Sequence, residues 1–384
     1  MKVVKAFFKW LLIVLITVIA GLYLFGYGYL IKAVVTIYGT GHTTAYLEDY
    51  TAFDNRTIAA GKGQPWPIHK NYNKTHATEN LEAIHKKLGT VAFLIIKNDS
   101  LWFEKYYEDY DIKSRSNSFS MAKSIVSAML GKAIMEGKIK SLDQPVSDFF
   151  PEFSEGTAAR LTVGDLSSMS SGLNWDESYY SPFSVTTRAY FDHNLREIIL
   201  GLRVTEQPGE SYKYLSGNTE LLAMVLEKAT GRTLSGYLSE KFWKPLGAES
   251  DAFWQLDSEK DGLEKAYCCI ASNARDFARF GKLYKDYGVW NGEQLLDSAF
   301  ISKSITPRFA DAPHYGYGFW LSDYNHKKVF YMNGHLGQYV ITIPEDNIII
   351  VRLGHRKEKH ADKDPHSEDF YAYIRESYHM LNLR

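Results

Sequence analysis

The chain has 384 residues, a formal net charge of -1, and 45% hydrophobic against 23% charged residues. That balance fits one large folded unit or two smaller ones and excludes a disordered or low-complexity chain. The near-neutral charge offers no basic surface to nucleic acid.

The N-terminus comes first. From Trp10 to Ile31 the run WLLIVLITVIAGLYLFGYGYLI carries no charge, and as one helix it would be about 33 Å long, enough to cross the hydrocarbon core. Lys2, Lys5 and Lys9 precede it, so the N-terminus is expected to stay cytoplasmic and the remainder to be extracytoplasmic. Tyr23, Tyr27 and Tyr29 would then meet the far interface. A signal peptide cleaved before Gly21 is the competing reading, but the apolar run continues past that point, which favours an uncleaved single-pass anchor. Residues 1–36 are therefore expected to be the anchor, 37–80 an extended lead-in, and 81–384 the folded domain.

TVAFLIIKND and SLWFEKYYE read as two strands around a short turn. SFSMAKSIVSAMLGKAI, residues 118 to 134, has the three-and-four spacing of a buried helical face. Lys123 lies on the same face as Ser120, one turn on. Taken alone it reads first as a snorkelling lysine, and the base of a serine nucleophile needs support from the rest of the chain. From about residue 140 to 310 helical spacing and loops dominate. Two cysteines, Cys268 and Cys269, are adjacent there. Neighbouring trans Cα atoms lie about 3.8 Å apart, below the usual disulfide span, so these read as reduced, buried small hydrophobes. Neither a bridge nor a metal cage is expected of them. Strands return in YGYGFWLS, KVFYMNGH and QYVITIPEDNIIIVRLGH. The charged stretch HRKEKHADKDPH reads as a solvated loop, and SEDFYAYIRESYHML as a closing amphipathic helix. The expected fold class is α+β: an antiparallel sheet built from both ends of the chain, flanked by helices, with a mostly helical subdomain inserted. The Ser120 helix would lie at the seam, where clefts form.

Ser120 is the only serine with a lysine three positions on. No Gly-x-Ser-x-Gly elbow and no His-Glu-x-x-His pair occurs, which disfavours α/β-hydrolase and zinc-protease chemistry. Two further stretches complete a set with Ser120 and Lys123. Tyr214-Leu215-Ser216 precedes a helix, and His335-Leu336-Gly337 opens a strand. With LTVGDLSSMSSGL, ATGRTLSGYLSEKFWKPLGA and SNARDFARFGKLY, these motifs resemble the serine β-lactamase and penicillin-binding-protein-like hydrolases of the class C-like branch, over roughly residues 80 to 380. Within that branch the chain is most similar to the 6-aminohexanoate-dimer hydrolases, on Tyr214-x-Ser216 followed by GNTELLA and on NWDESYYSP, which contains Tyr179.

The resemblance implies roles. Ser120 would be acylated, Lys123 would take its proton, and Tyr214 would relay that proton to the leaving group. The backbone amides of Ser120 and Gln338 would form the oxyanion hole, so that replacing the Gln338 side chain should matter little. Ser216, His335, Gly337 and Tyr179 would contact substrate. An ordinary lysine is neutral in only about one molecule in 2500 at pH 7, so burial must lower the Lys123 pKa. Ser216 stands where β-lactamases of this branch carry asparagine, and His335 opens the triplet where they carry lysine. Both changes point away from β-lactams and toward esters or small linear amides. The expected activity is a serine hydrolase without cofactor or metal, acting on a small-molecule ester or amide. A DD-peptidase or weak β-lactamase of cell-wall metabolism and a non-catalytic ligand-binding protein are the alternatives.

Overall fold

The structure is a computed structural model and describes residues 2–42, 44–259, 262–360 and 364–383. Its helices are α1 (Lys2–Leu24), α2 (Tyr29–Thr40), α3 (Glu79–Leu88), α4 (Met121–Met135), α5 (Val163–Ser167), α6 (Val185–Phe191), α7 (Leu195–Leu200), α8 (Ser216–Thr230), α9 (Leu234–Leu238), α10 (Ala274–Lys285), α11 (Ser298–Ser304) and α12 (Glu368–Leu381). The strands are β1 (Asn55–Ile58), β2 (Thr90–Lys97), β3 (Ser100–Tyr106), β4 (Ser116–Asn117), β5 (Ala252–Gln255), β6 (Ile270–Ser272), β7 (Val289–Trp290), β8 (Glu293–Gln294), β9 (Trp320–Tyr324), β10 (Lys327–Gly334), β11 (Gln338–Ile343) and β12 (Ile348–Gly354).

A six-stranded antiparallel sheet of order β3-β2-β12-β11-β10-β9 joins the two ends of the chain. Its central seam pairs Ile95 with Ile350 and Val351 with Leu94. The β2 sequence is apolar without alternation because both sheet faces are covered. Ala92, Leu94 and Ile96 face a core shared with α4, α8 and α10. Phe93 and Ile95 face a second core shared with α3 and α12. The fold is thus the expected one: an antiparallel sheet flanked by helices, the helical region lying between its N- and C-terminal strands. A four-stranded sheet of order β1-β5-β6-β4 was not foreseen. Its strands run two to four residues, too short to show a period.

Helix α4 is buried on every side, from Met121 through Gly131, as a helix apolar all round must be. Gly131 is needed there because a Cβ would meet the Phe300 ring at 2.4 Å.

At the N-terminus the charge-free run forms two helices, not one. Gly26, at φ +77°, breaks it. Helix α1 packs on nothing and is long and apolar enough to cross a membrane, with mean hydropathy 2.3. Helix α2 folds back onto the domain. Tyr29, expected at a membrane interface, is instead buried, and its hydroxyl donates to the Pro182 carbonyl (3.0 Å).

Two other expectations change. The charged stretch from His355 to His366 is only partly solvated. His366 is buried and its Nδ1 pairs with the Tyr331 hydroxyl (2.6 Å), while His355 Nε2 pairs with Glu108 (2.8 Å). Residues 361–363 of that stretch lie outside the described residues. Cys268 and Cys269 are joined as a vicinal disulfide across Cα atoms 3.7 Å apart. The average span used to exclude a bridge does not apply where the backbone turns at Cys269, whose φ is +79°.

Candidate active site

Ser120 occupies the N-cap of α4, where serine ordinarily spends its hydroxyl on a helix amide. Here the hydroxyl caps nothing. It accepts instead from Lys123 Nζ, one turn on, at 3.0 Å. The preceding Phe119 is held at φ +45°, a conformation costly for an aromatic residue unless its surroundings enforce it. They do. The Phe119 amide donates to Asn117 Oδ1 (2.9 Å), and Ser118 exchanges two bonds with Ile270 of β6. The small sheet therefore fixes the turn that presents Ser120. The Ser120 amide donates to no backbone carbonyl among the described residues, and it sits at the positive end of α4.

Lys123 is only 3% exposed. Besides Ser120 its Nζ bonds to Ser216 Oγ (3.1 Å) and the Tyr267 carbonyl (2.8 Å). Burial brings its pKa down to about 8, with the Glu177 and Glu220 carboxylates pulling the other way. At pH 7 about one molecule in ten then carries a neutral amine, against about one in 2500 for a free lysine. Glu220 accepts from the Ala266 amide (2.7 Å), so it holds the segment whose Tyr267 carbonyl bonds Lys123.

Tyr214 lies two residues before the start of α8, and its ring centroid lies 5.1 Å from Lys123 Nζ. Burial pushes the phenol well above its usual range, against a hydrogen bond with Ser120, so it is a protonated hydroxyl at neutral pH. Ser216 is buried. Its hydroxyl accepts from Lys123 and donates to Glu177 Oε1 at 2.6 Å.

Glu177 is the site residue that sequence reasoning missed. Its carboxylate accepts from the Ser216 amide (2.6 Å), the Ser216 hydroxyl (2.6 Å) and the Tyr179 hydroxyl (2.5 Å). Its only sequence signal was its place in NWDESYYSP, two residues before Tyr179. Tyr179 stacks on His335 with centroids 5.7 Å apart. Burial, helped by the charge of Lys357, drives the His335 imidazole down to about 4, so it is neutral at pH 7.

Gly337 has φ +82°, and a Cβ there would stand 2.7 Å from Arg352 Nη1. That nitrogen donates to the Leu336 and Gly337 carbonyls, both at 2.8 Å. Gln338 opens β11, and its side chain is fully buried. The side-chain amide donates to the His335 carbonyl (3.1 Å) and the Gly354 carbonyl (2.6 Å) and accepts from the Gly354 amide (3.0 Å). The expectation that this side chain would matter little is therefore revised: it ties the His335–Gly337 turn to β12.

The structure thus brings together a buried lysine bonded to a helix N-cap serine, a tyrosine beside that lysine, and the glycine turn from which β11 starts. Residues 75–372 match the Beta-lactamase family model, and the chain belongs to that family. Among curated relatives it is 28% identical to 6-aminohexanoate-dimer hydrolase of Paenarthrobacter ureafaciens over 237 residues, which is 59% of this chain and 59% of that protein. Among solved structures it superposes on a chain from Bacillus anthracis assigned as a 6-aminohexanoate-dimer hydrolase with a TM-score of 0.69 at 20% identity, covering 86% of this chain and 92% of that one. The D-amino acid amidase of Ochrobactrum anthropi gives a TM-score of 0.58 at 16% identity, covering 78% and 95%. These structural likenesses establish the β-lactamase and penicillin-binding-protein fold. The relatives include hydrolases of amide bonds.

Proposed function

We propose that the protein is a serine hydrolase that cleaves a carboxylic ester or linear amide through an acyl-enzyme on Ser120, held at the membrane by α1 with the domain that follows on the extracytoplasmic side. The observation that carries this reading is the 3.0 Å contact between Ser120 Oγ and the buried Nζ of Lys123.

The neutral amine of Lys123 takes the Ser120 proton as Oγ bonds to the carbonyl carbon. The developing oxyanion is met by the Ser120 and Gln338 amides. Tyr214 passes a proton to the departing alcohol or amine and recovers one through Lys123. Water then attacks the acyl-enzyme along the same relay in reverse, releasing the acid and restoring Ser120. Tyr179, Gly337 and His335 border the substrate. The neutral imidazole of His335 gives no permanent cation for a substrate carboxylate, which favours esters and amides over β-lactams and carboxylate-ended stem peptides. Ser216 borders the substrate as well and bonds Lys123.

The test uses the full chain in lipid vesicles with p-nitrophenyl acetate, a linear amide dimer and a fluorescent penicillin. Turnover of the ester or amide that Ser120→Ala abolishes supports the reading. A long-lived penicillin adduct without turnover favours a penicillin-binding role. Inertness toward all three overturns the hydrolase assignment.

A further inference from the structure

The catalytic cleft does not end at the catalytic residues. A cavity of about 470 Å³ runs from Ser120, Ser216 and His335 to the inner face of α2, where Leu30, Ala33 and Ile37 line it. Its far wall is aromatic, built from Phe183, Tyr190 and Phe191. Helix α2 lies outside residues 75–372, the part that matches the family. It is firmly seated: Ala33 is 6% exposed, the Tyr29 hydroxyl bonds the Pro182 carbonyl, and Lys32 caps the Phe53 ring at 5.1 Å.

Only Phe25 to Gly28 separate α2 from α1, the helix long enough to cross a bilayer. The rim of the cavity at that end is apolar and open. Val34, Tyr180 and Phe183 all line it, at 53%, 82% and 69% exposure. Val35 and Tyr38 extend the exposed apolar surface on α2. Apolar and aromatic side chains displayed beside a membrane helix belong at the headgroup level. An apolar channel leading from that level to a nucleophile suits a hydrocarbon chain, and offers a polar substrate little.

We propose that the substrate is a membrane-borne amphiphile whose scissile ester or amide carries a long hydrocarbon chain, and that this chain lies in the cavity between α2 and the catalytic residues. This rests on the hydrolase reading above and names its substrate class. The chain can belong to the acyl half or to the leaving half of the substrate, and the two arms of the test separate these.

The full-length protein in phosphatidylcholine vesicles is assayed on p-nitrophenyl acetate, hexanoate and decanoate, and in parallel on hexyl and decyl acetate by acid release. Burial of each methylene allows up to about a fourfold gain in kcat/KM. The expected result is a rise of at least about tenfold from the shortest to the longest member of one series. Ala33→Trp, which fills the cavity, and Val34→Asp, at an exposed position on its rim, are each expected to cut the long-to-short ratio at least about fivefold. A flat profile in both series, or the same rise in both variants, overturns the proposal while Ser120-dependent acetate turnover leaves the hydrolase reading standing. Absence of acetate turnover in the unaltered protein overturns that reading itself.

Discussion

Replacing Glu177 by Gln should move the acid limb of the pH–rate profile to lower pH. Glu177 Oε1 is joined to Lys123 Nζ through a single hydroxyl, that of Ser216, by bonds of 2.6 and 3.1 Å. The carboxylate is thus within about 6 Å of the amine, where a unit charge at an effective dielectric of about 20 is worth about 3 kcal/mol, or roughly two pH units. Its sign is fixed: a negative neighbour favours the ammonium, so Glu177 holds the Lys123 pKa up against the burial that lowers it to about 8. Neutral lysine is the reactive form, so kcat/KM should rise with pH through that pKa. Gln keeps the shape and an acceptor for Ser216 while deleting the charge. Measured on p-nitrophenyl acetate between about pH 5.5 and 9.5, the limb should fall by one to two units, with any loss of plateau rate separate from that shift. A limb that stays in place or moves upward would refute the coupling of Glu177 to Lys123, and with it lysine as the titrating base.

Three further outcomes follow from the same geometry. Lys123→Arg keeps a cation that cannot be deprotonated, so kcat should fall about 10²–10⁴-fold; a loss under tenfold in steady-state turnover would exclude lysine as base. Gln338→Ala strips partners from the His335 carbonyl and from both backbone groups of Gly354, each costing about 1–3 kcal/mol when buried, so both the unfolding midpoint in urea and kcat should drop. Gly337→Ala forces a Cβ to 2.7 Å from Arg352 at φ +82°, a backbone cost of about 1–2 kcal/mol before the clash is relieved; kcat should fall while KM for a small ester changes little, and an unchanged kcat would remove this turn from oxyanion binding.

Much of the fold is legible in residue order because burial imposes periodicity. Unbroken apolar β2 needs cover on both faces, and α3 and α12 on one side with α10 on the other supply it. Ser120 and Lys123 are equally legible, since three residues along a helix bring side chains together whatever surrounds them. Glu177 is different. It reaches Ser216 across 39 positions from a loop without a period, and nothing local distinguishes it from a solvated acid. Phe119 illustrates the same limit: its positive φ is imposed by Asn117 and by Ser118 bonded to Ile270, a strand 152 residues away.

The N-terminus carries the sharpest lesson about composition. A charge-free run from Trp10 to Ile31 satisfies the test for one membrane helix, yet length and hydropathy cannot register a glycine that turns the chain. At Gly26 the run changes partner, from the surroundings of α1 to the aromatic wall formed by Phe183 and Phe191. The apolar character of α2 therefore has two sources. Ala33 and Ile37 complete a cavity that reaches Ser120, and Val35 and Tyr38 face outward. A helix that met only a domain core would bury its apolar face and expose a polar one. An apolar surface on both sides is what the proposed substrate path, from a lipid phase to Ser120, requires.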